Sequence, residues 1–121
     1  MYRDMNDMER EWIDKLLDVD LQGKDILMKQ FLKAQAICEK GYEFISLKFE
    51  VKNSDEKYPY PIRVPIEMRA FQEGSAPVIF LLHIIDGLVN ELEIFSADLS
   101  QIIEDNISLK TVEYEISEEI L

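Results

Sequence analysis

The sequence predicts an α+β domain spanning residues 1–121, with two N-terminal helices packed on one face of a mainly antiparallel sheet of four to five strands. Three patterns carry that reading. Apolar residues recur at helical spacing in the first third of the chain. Later segments alternate apolar and polar residues with a period of two. Phe80 to Phe95 is the densest apolar run, divided at Asp86-Gly87 like two strands around a turn.

Asn6-Asp7-Met8-Glu9 reads as a helix start. Asn6 supplies the N-cap, and Glu9 three residues on closes a capping box. Asp7 and Glu9 suit the positive end of the helix dipole. Met8, Trp12, Ile13, Leu16 and Leu17 then form one apolar face, which fades near Val19-Asp20, before Gly23. A second helix runs from about Lys24, with Ile26, Leu27, Phe31 and Leu32 inward. Its end has two readings. Ala34 to Glu39 either continues the helix toward Gly41 or forms a short strand turning at Lys40-Gly41. The alanines at 34 and 36 place residues 34–36 in the helix.

Ile45, Leu47, Phe49 and Val51 alternate with Ser46, Lys48 and Glu50, the pattern of a half-buried strand. Residues 52–61 form a loop by composition and by their two prolines. Tyr60, Ile62, Val64, Ile66 and Met68 alternate again, with Pro65 among them. Proline has no N–H for the ladder, so this strand lies at an edge or is interrupted there. Gln72-Glu73-Gly74-Ser75 is a turn.

Two geometries suit the hairpin. A two-residue loop pairs Ile85 with Leu88, and a three-residue loop with Gly87 left-handed pairs Ile84 with Leu88. The second keeps Phe80, Leu82, Ile84, Leu88, Leu92 and Ile94 on one face. It leaves Leu81, His83, Val89, Glu91 and Glu93 on the other, so burial favours the three-residue loop. Val112, Tyr114 and Ile116 suit a last strand, residues 101–106 take no assignment, and residues 117–121 fray.

Composition narrows the function. The chain is 47% hydrophobic and 31% charged, as in globular proteins. It has no apolar run near the roughly 20 residues that span a bilayer. No apolar stretch follows the N-terminus as in a secretory signal, so a cytoplasmic protein is expected. The single Cys38 excludes an internal disulfide and a cysteine zinc cage. The net charge is −12, from 25 acidic and 13 basic residues. It disfavours nucleic acid and anionic membranes as partners. It suits a basic protein partner, although the same charge also serves solubility alone.

Few residues carry chemistry. His83 is the only histidine, and the favoured register sets it beside Glu91 and Glu93. A carboxylate beside an imidazole can orient a general base. No nucleophile or metal-ligand spacing accompanies the three, and charged residues on the wet side of a hairpin look the same. Cys38 reads as a small buried residue near a helix C-terminus, where the dipole opposes a thiolate. Asp86-Gly87 lacks the other ligands of a calcium loop. With four glycines there is no phosphate cradle, and no Gly-x-Ser-x-Gly or His-Glu-x-x-His occurs. The expectation is a protein with no catalytic residues, no cofactor and no metal.

Two stretches also carry a likeness. Ile37-Cys38-Glu39-Lys40-Gly41 precedes a strand, and Leu81 to Phe95 is followed by Ala97-Asp98. In this the chain resembles small bacterial α+β proteins, among them immunity proteins of toxin–immunity pairs. The likeness covers the middle two-thirds of the chain. It carries over no catalytic residues. The −12 charge, the small size and the lack of a catalytic constellation make the first expectation an immunity-like protein-binding module that occludes a basic partner. A second expectation is a homodimeric accessory protein joined through Leu81, Val89 and Phe95. A third is a ligand-binding or enzymatic site at His83, Glu91 and Glu93.

Overall fold

A computed structural model of the chain describes residues 1–52 and 56–118. The elements are α1 (Asp7–Leu16), α2 (Lys24–Lys33), β1 (Ala34–Lys40), β2 (Phe44–Val51), β3 (Ile66–Gln72), β4 (Val78–Ile85), β5 (Leu88–Ser96), a short 3-10 turn (Glu104–Asn106) and β6 (Ile107–Ile116). The six strands form one antiparallel sheet in the order β1-β2-β5-β4-β3-β6. The fold is α+β, as the sequence predicts, with one strand more than expected. Of the predicted fraying end, residues 119–121 lie outside the described residues, as do 53–55 of the predicted loop.

The helix start is built as the sequence implies. Asn6 Oδ1 accepts from the Glu9 N–H at 2.8 Å, and Glu9 Oε1 accepts from the Asn6 N–H at 2.9 Å. Glu9 is buried, and Arg3 meets it with two bonds of 2.7 and 2.9 Å. Burial pushes the Glu9 carboxyl up, but bonds from Arg3 and the Asn6 N–H outweigh it and hold the group below its ordinary value. The same Arg3 exchanges backbone hydrogen bonds with Ala36 and so extends the sheet past β1.

That sheet edge corrects the reading of residues 34–36. They are strand, not helix. Ala34 is already extended (ψ 142°), and every residue to Lys40 pairs with β2, from Ala34 with Val51 to Lys40 with Ile45. A full ladder outweighs the few tenths of a kcal/mol by which alanine favours helix. Their small size serves packing instead, because both alanines are buried in the core. Cys38 is therefore mid-strand opposite Leu47, not at a helix end.

Ile45, Ile94, Phe80, Met68 and Tyr114 line up across five strands on the side that meets the helices. Trp12 packs edge-on against Phe80, with ring centroids 6.1 Å apart, and Phe31 against Phe49 at 5.1 Å. The Tyr114 hydroxyl donates to the Lys15 carbonyl at 2.5 Å and ties β6 to α1. On α2 the predicted inner face is partly wrong. Leu32 is 81% exposed, and Gln30 is buried in its stead.

β3 begins only after Pro65, and it is interior, between β4 and β6. The predicted strand is thus interrupted at the proline rather than displaced to an edge. Residues 58–65 instead cross the hairpin tip. The Tyr58 N–H donates to the Gly87 carbonyl at 2.9 Å, and the Ile84 N–H to the Arg63 carbonyl at 2.7 Å.

The hairpin turn itself has two residues, with Ile85 opposite Leu88. Asp86 (φ 53°) and Gly87 (φ 77°) are both left-handed, as a type I′ turn requires. A side chain at 87 would also strike Lys57. The register then slips: Ile84 pairs with Val89 but His83 with Glu91, so Asn90 is an extra, bulged residue. The bulge restores the predicted faces beyond it, and Leu82, Leu92, Phe80 and Ile94 are all buried. Closer to the turn, Val89 replaces Leu88 in the core. The loop is two residues long rather than three, yet beyond the bulge the parity favoured by burial is the one observed.

Gln30 satisfies this irregular tip. Its carboxamide oxygen accepts from the Val89 N–H at 2.8 Å, and its nitrogen donates to the carbonyls of Gly87 (2.8 Å) and Glu56 (3.2 Å). Gln30→Leu keeps the bulk but orphans the buried Val89 N–H. It is expected to lower the unfolding free energy by about 2 kcal/mol in a urea titration.

Glu9 yields a second expectation. A carboxyl with a lowered folded pKa contributes fully above the ordinary carboxylate range, and its contribution is lost as pH falls through the folded value. Arg3→Ala removes the main source of that lowering. It should cost about 1 kcal/mol at neutral pH, after discounting for the exposed guanidinium. The acid-unfolding midpoint, followed by Trp12 fluorescence, should move to higher pH.

Candidate functional site

Both helices cover one face of the sheet, so side chains of the other parity form a helix-free face. The register places them in rows. One row crosses all six strands as Glu39, Ser46, Glu93, Leu81, Glu67 and Glu115. The row on one side of it reads Phe44, Phe95, Ile79, Arg69 and Glu113. The row on the other side reads Ile37, Lys48, Glu91 and His83. Among the described residues, seven glutamates, Glu50 opposite Gln35 included, share the face with Lys48 and Arg69 from the strands, while Arg63 reaches it at His83 and Lys52 at Glu50. Arg69 lies 3.4 Å from Glu67, and Lys48 lies 4.0 Å from Glu39. Both are surface pairs of small energetic weight.

His83, Glu91 and Glu93 come together as the sequence predicts, joined by two residues it did not single out. His83 Nε2 lies 2.8 Å from Glu93 Oε1. Arg63 Nε donates to His83 Nδ1 at 3.2 Å. Ser46 Oγ donates to Glu91 Oε2 at 2.6 Å. Because the guanidinium can only donate, Nδ1 accepts, and a neutral ring carries its proton on Nε2 toward Glu93. Ser46 had the signature only of a polar strand position. Arg63 lies before β3 in a segment whose alternation predicts strand, so no local pattern links it to His83.

The chemistry of this group is limited by its own bonds. Both imidazole nitrogens are engaged, and the Ser46 proton points to Glu91 rather than to the ring. That is not the nucleophile–base relay of acyl transfer. The five residues instead tie β2 to β5, β4 to β5, and the Arg63 segment to β4. Surface cavities among the described residues lie around the helices, at the Asp4–Lys52 end of β1 and β2, and along Tyr58–Arg63; these are not lined by His83, Glu91 or Glu93, although Arg63 borders the last. Among the described residues, no three His, Cys, Asp or Glu side chains gather closely enough to hold a metal ion. Burial pushes the Cys38 thiol up, against the pull of Lys40, so the thiolate is disfavoured.

Of the three apolar residues expected on this face, Leu81 and Phe95 are half-buried and Val89 belongs to the core. Phe44 and Ile79 accompany Phe95 in an apolar strip beside the acidic row. Among the described residues, no helix is long and apolar enough to cross a membrane. The chain matches no protein-family model, no curated protein and no solved structure.

The histidine geometry is directly measurable. A long-range proton–nitrogen correlation spectrum above neutral pH should show Nδ1 of His83 as the bare, pyridine-like nitrogen and Nε2 as the protonated one. The Arg63→Ala variant should lose that uniform preference with less than about 1 kcal/mol change in stability, since the pair is exposed.

Proposed function

We propose that the protein is an acidic protein-binding module, immunity-like and without catalytic activity, that covers a basic partner in a bacterial cytoplasm. The observation that carries this reading is the helix-free face. Its glutamates are ordered in rows by the sheet, beside a short apolar strip of exposed Phe44 and half-buried Phe95. A fixed array of like charges gives a steep local potential and steers an oppositely charged surface to it. The strip supplies the area that a stable complex must dehydrate. A nuclease groove that holds phosphates would fit both features, because carboxylates in rows present the same sign of charge. The homodimer reading is weakened by Val89, which is buried and cannot meet a second chain.

The test is charge reversal on the face. Glu39→Lys, Glu93→Lys and Glu115→Lys in one chain should weaken binding of a basic partner captured from the source cells by at least about tenfold. The wild-type complex should also loosen as salt rises. Glu11→Lys, Asp14→Lys and Asp25→Lys on the helices should leave affinity nearly unchanged. Equal loss from the helix variant, or capture that salt does not affect, would remove the proposal.

A further inference from the structure

Large apolar side chains are exposed unevenly. Among the described residues there are nine, and five of them lie at one end of the sheet: Tyr42, Phe44, Phe71, Leu99 and Ile103. Backbone bonds stitch the segments there together. The Ser96 N–H donates to Glu43 (3.1 Å), the Ile102 N–H to Tyr42 (3.0 Å) and the Ala97 N–H to Pro77 (3.0 Å). The buried Gln72 side chain holds both the Gln101 carbonyl (2.8 Å) and the Ile103 N–H (2.7 Å). These loops are thus one braced surface, not separate tips.

Leu99 is the informative residue. Its backbone is left-handed (φ 65°), a conformation that glycine or asparagine takes with less strain. Its side chain is 72% exposed, so no packing compensates for the strain. The turn is nevertheless held firmly. Ser96 Oγ donates to Asp98 at 2.9 Å, and the Ser100 N–H donates to both Asp98 Oδ1 (3.0 Å) and Ser96 Oγ (3.1 Å). The turn's hydrogen bonds hold the strained backbone, but the leucine side chain itself gains nothing inside the fold, which points to a use outside it.

The surrounding charge indicates what would cover it. Glu43, Glu73, Asp98 and Asp105 belong to the same loops, while the Lys40 ammonium is taken by Glu104 at 2.6 Å. An apolar patch inside an acidic rim complements an apolar side chain flanked by lysine or arginine. Resting on the basic-partner reading above, we infer that Leu99 and Tyr42 form the apolar anchor of that interface and receive such a side chain from a cationic protein.

Two synthetic probes separate the ideas: a short oligolysine peptide, and the same peptide with leucine at its centre. At physiological salt the leucine peptide should bind about tenfold more tightly, the effect of burying one such side chain. Its amide shift changes should centre on Tyr42, Phe44, Leu99 and Ile103. Leu99→Gly should abolish the advantage of leucine while leaving the melting temperature unchanged or raised, because glycine relaxes the backbone. Tyr42→Ser should reduce the advantage without unfolding the chain. If both peptides bind equally, or if Leu99→Gly keeps the preference or lowers the melting temperature, the anchor is wrong and the basic-partner reading stands. If neither peptide binds, both are overturned.

Discussion

The Gln30 carboxamide is the interaction on which the arrangement of this molecule depends. A hairpin tip with a bulge next to its turn leaves backbone groups outside the ladder, and burial makes each one expensive. Gln30 meets them from the helix, with an acceptor for the Val89 N–H and a donor for the Gly87 carbonyl. It donates to Glu56 as well, so helix, hairpin and crossing segment meet at one side chain that is 1% exposed. An apolar residue there would fill space but could not set the rotation of α2 against the sheet. The polar bonds do, because each is directional.

The bulge has a consequence far from the tip. One extra residue at Asn90 shifts the parity of β5, and everything beyond it follows. Leu92 and Ile94 turn to the helices, and Glu91 and Glu93 turn to the open face. The same device therefore closes the core and arms the surface. The sheet's two edges are managed differently. β1 is partly covered by the backbone pairing of Arg3. β6 carries Lys110, Glu113 and Glu115, and its pairing with β3 breaks between Arg69 and Phe71. Charge and irregularity both discourage a further strand.

On the open face, order and chemistry diverge. The group around His83 has the residue types of a catalytic site, but its hydrogen bonds are spent among its own members. In this geometry His83 ties β4 to β5 through Glu93 and the Arg63 segment to β4. The apolar end of the sheet shows the opposite pattern. There the molecule accepts strain at Leu99 and exposes the result. Interaction surfaces are built in this way, from a rigid frame and a few apolar side chains left without internal partners.

Much of this was legible in the sequence, for local reasons. The capping box, the helix periodicity, the alternation in β2 and the Asp-Gly turn are each set by neighbours within a few residues. So was the company of His83, Glu91 and Glu93, since parity in one hairpin brings them together. What was not legible depends on distant partners. Ala34 and Ala36 are strand because β2 and Arg3 complete their ladders, against their own preference. Gln30 is inward and Leu32 outward because a turn more than fifty residues away has unpaired groups. Arg63 reaches His83 because prolines keep its segment out of the sheet. The sequence by itself determined the layers, the acidity and the grouping of His83, Glu91 and Glu93 on the open face. Only the tertiary structure decided the strand order, the bulge and the gathering of exposed apolar residues at one end. Each of those is a pairing between segments that share no local signal, chosen by which backbone groups would otherwise be buried alone.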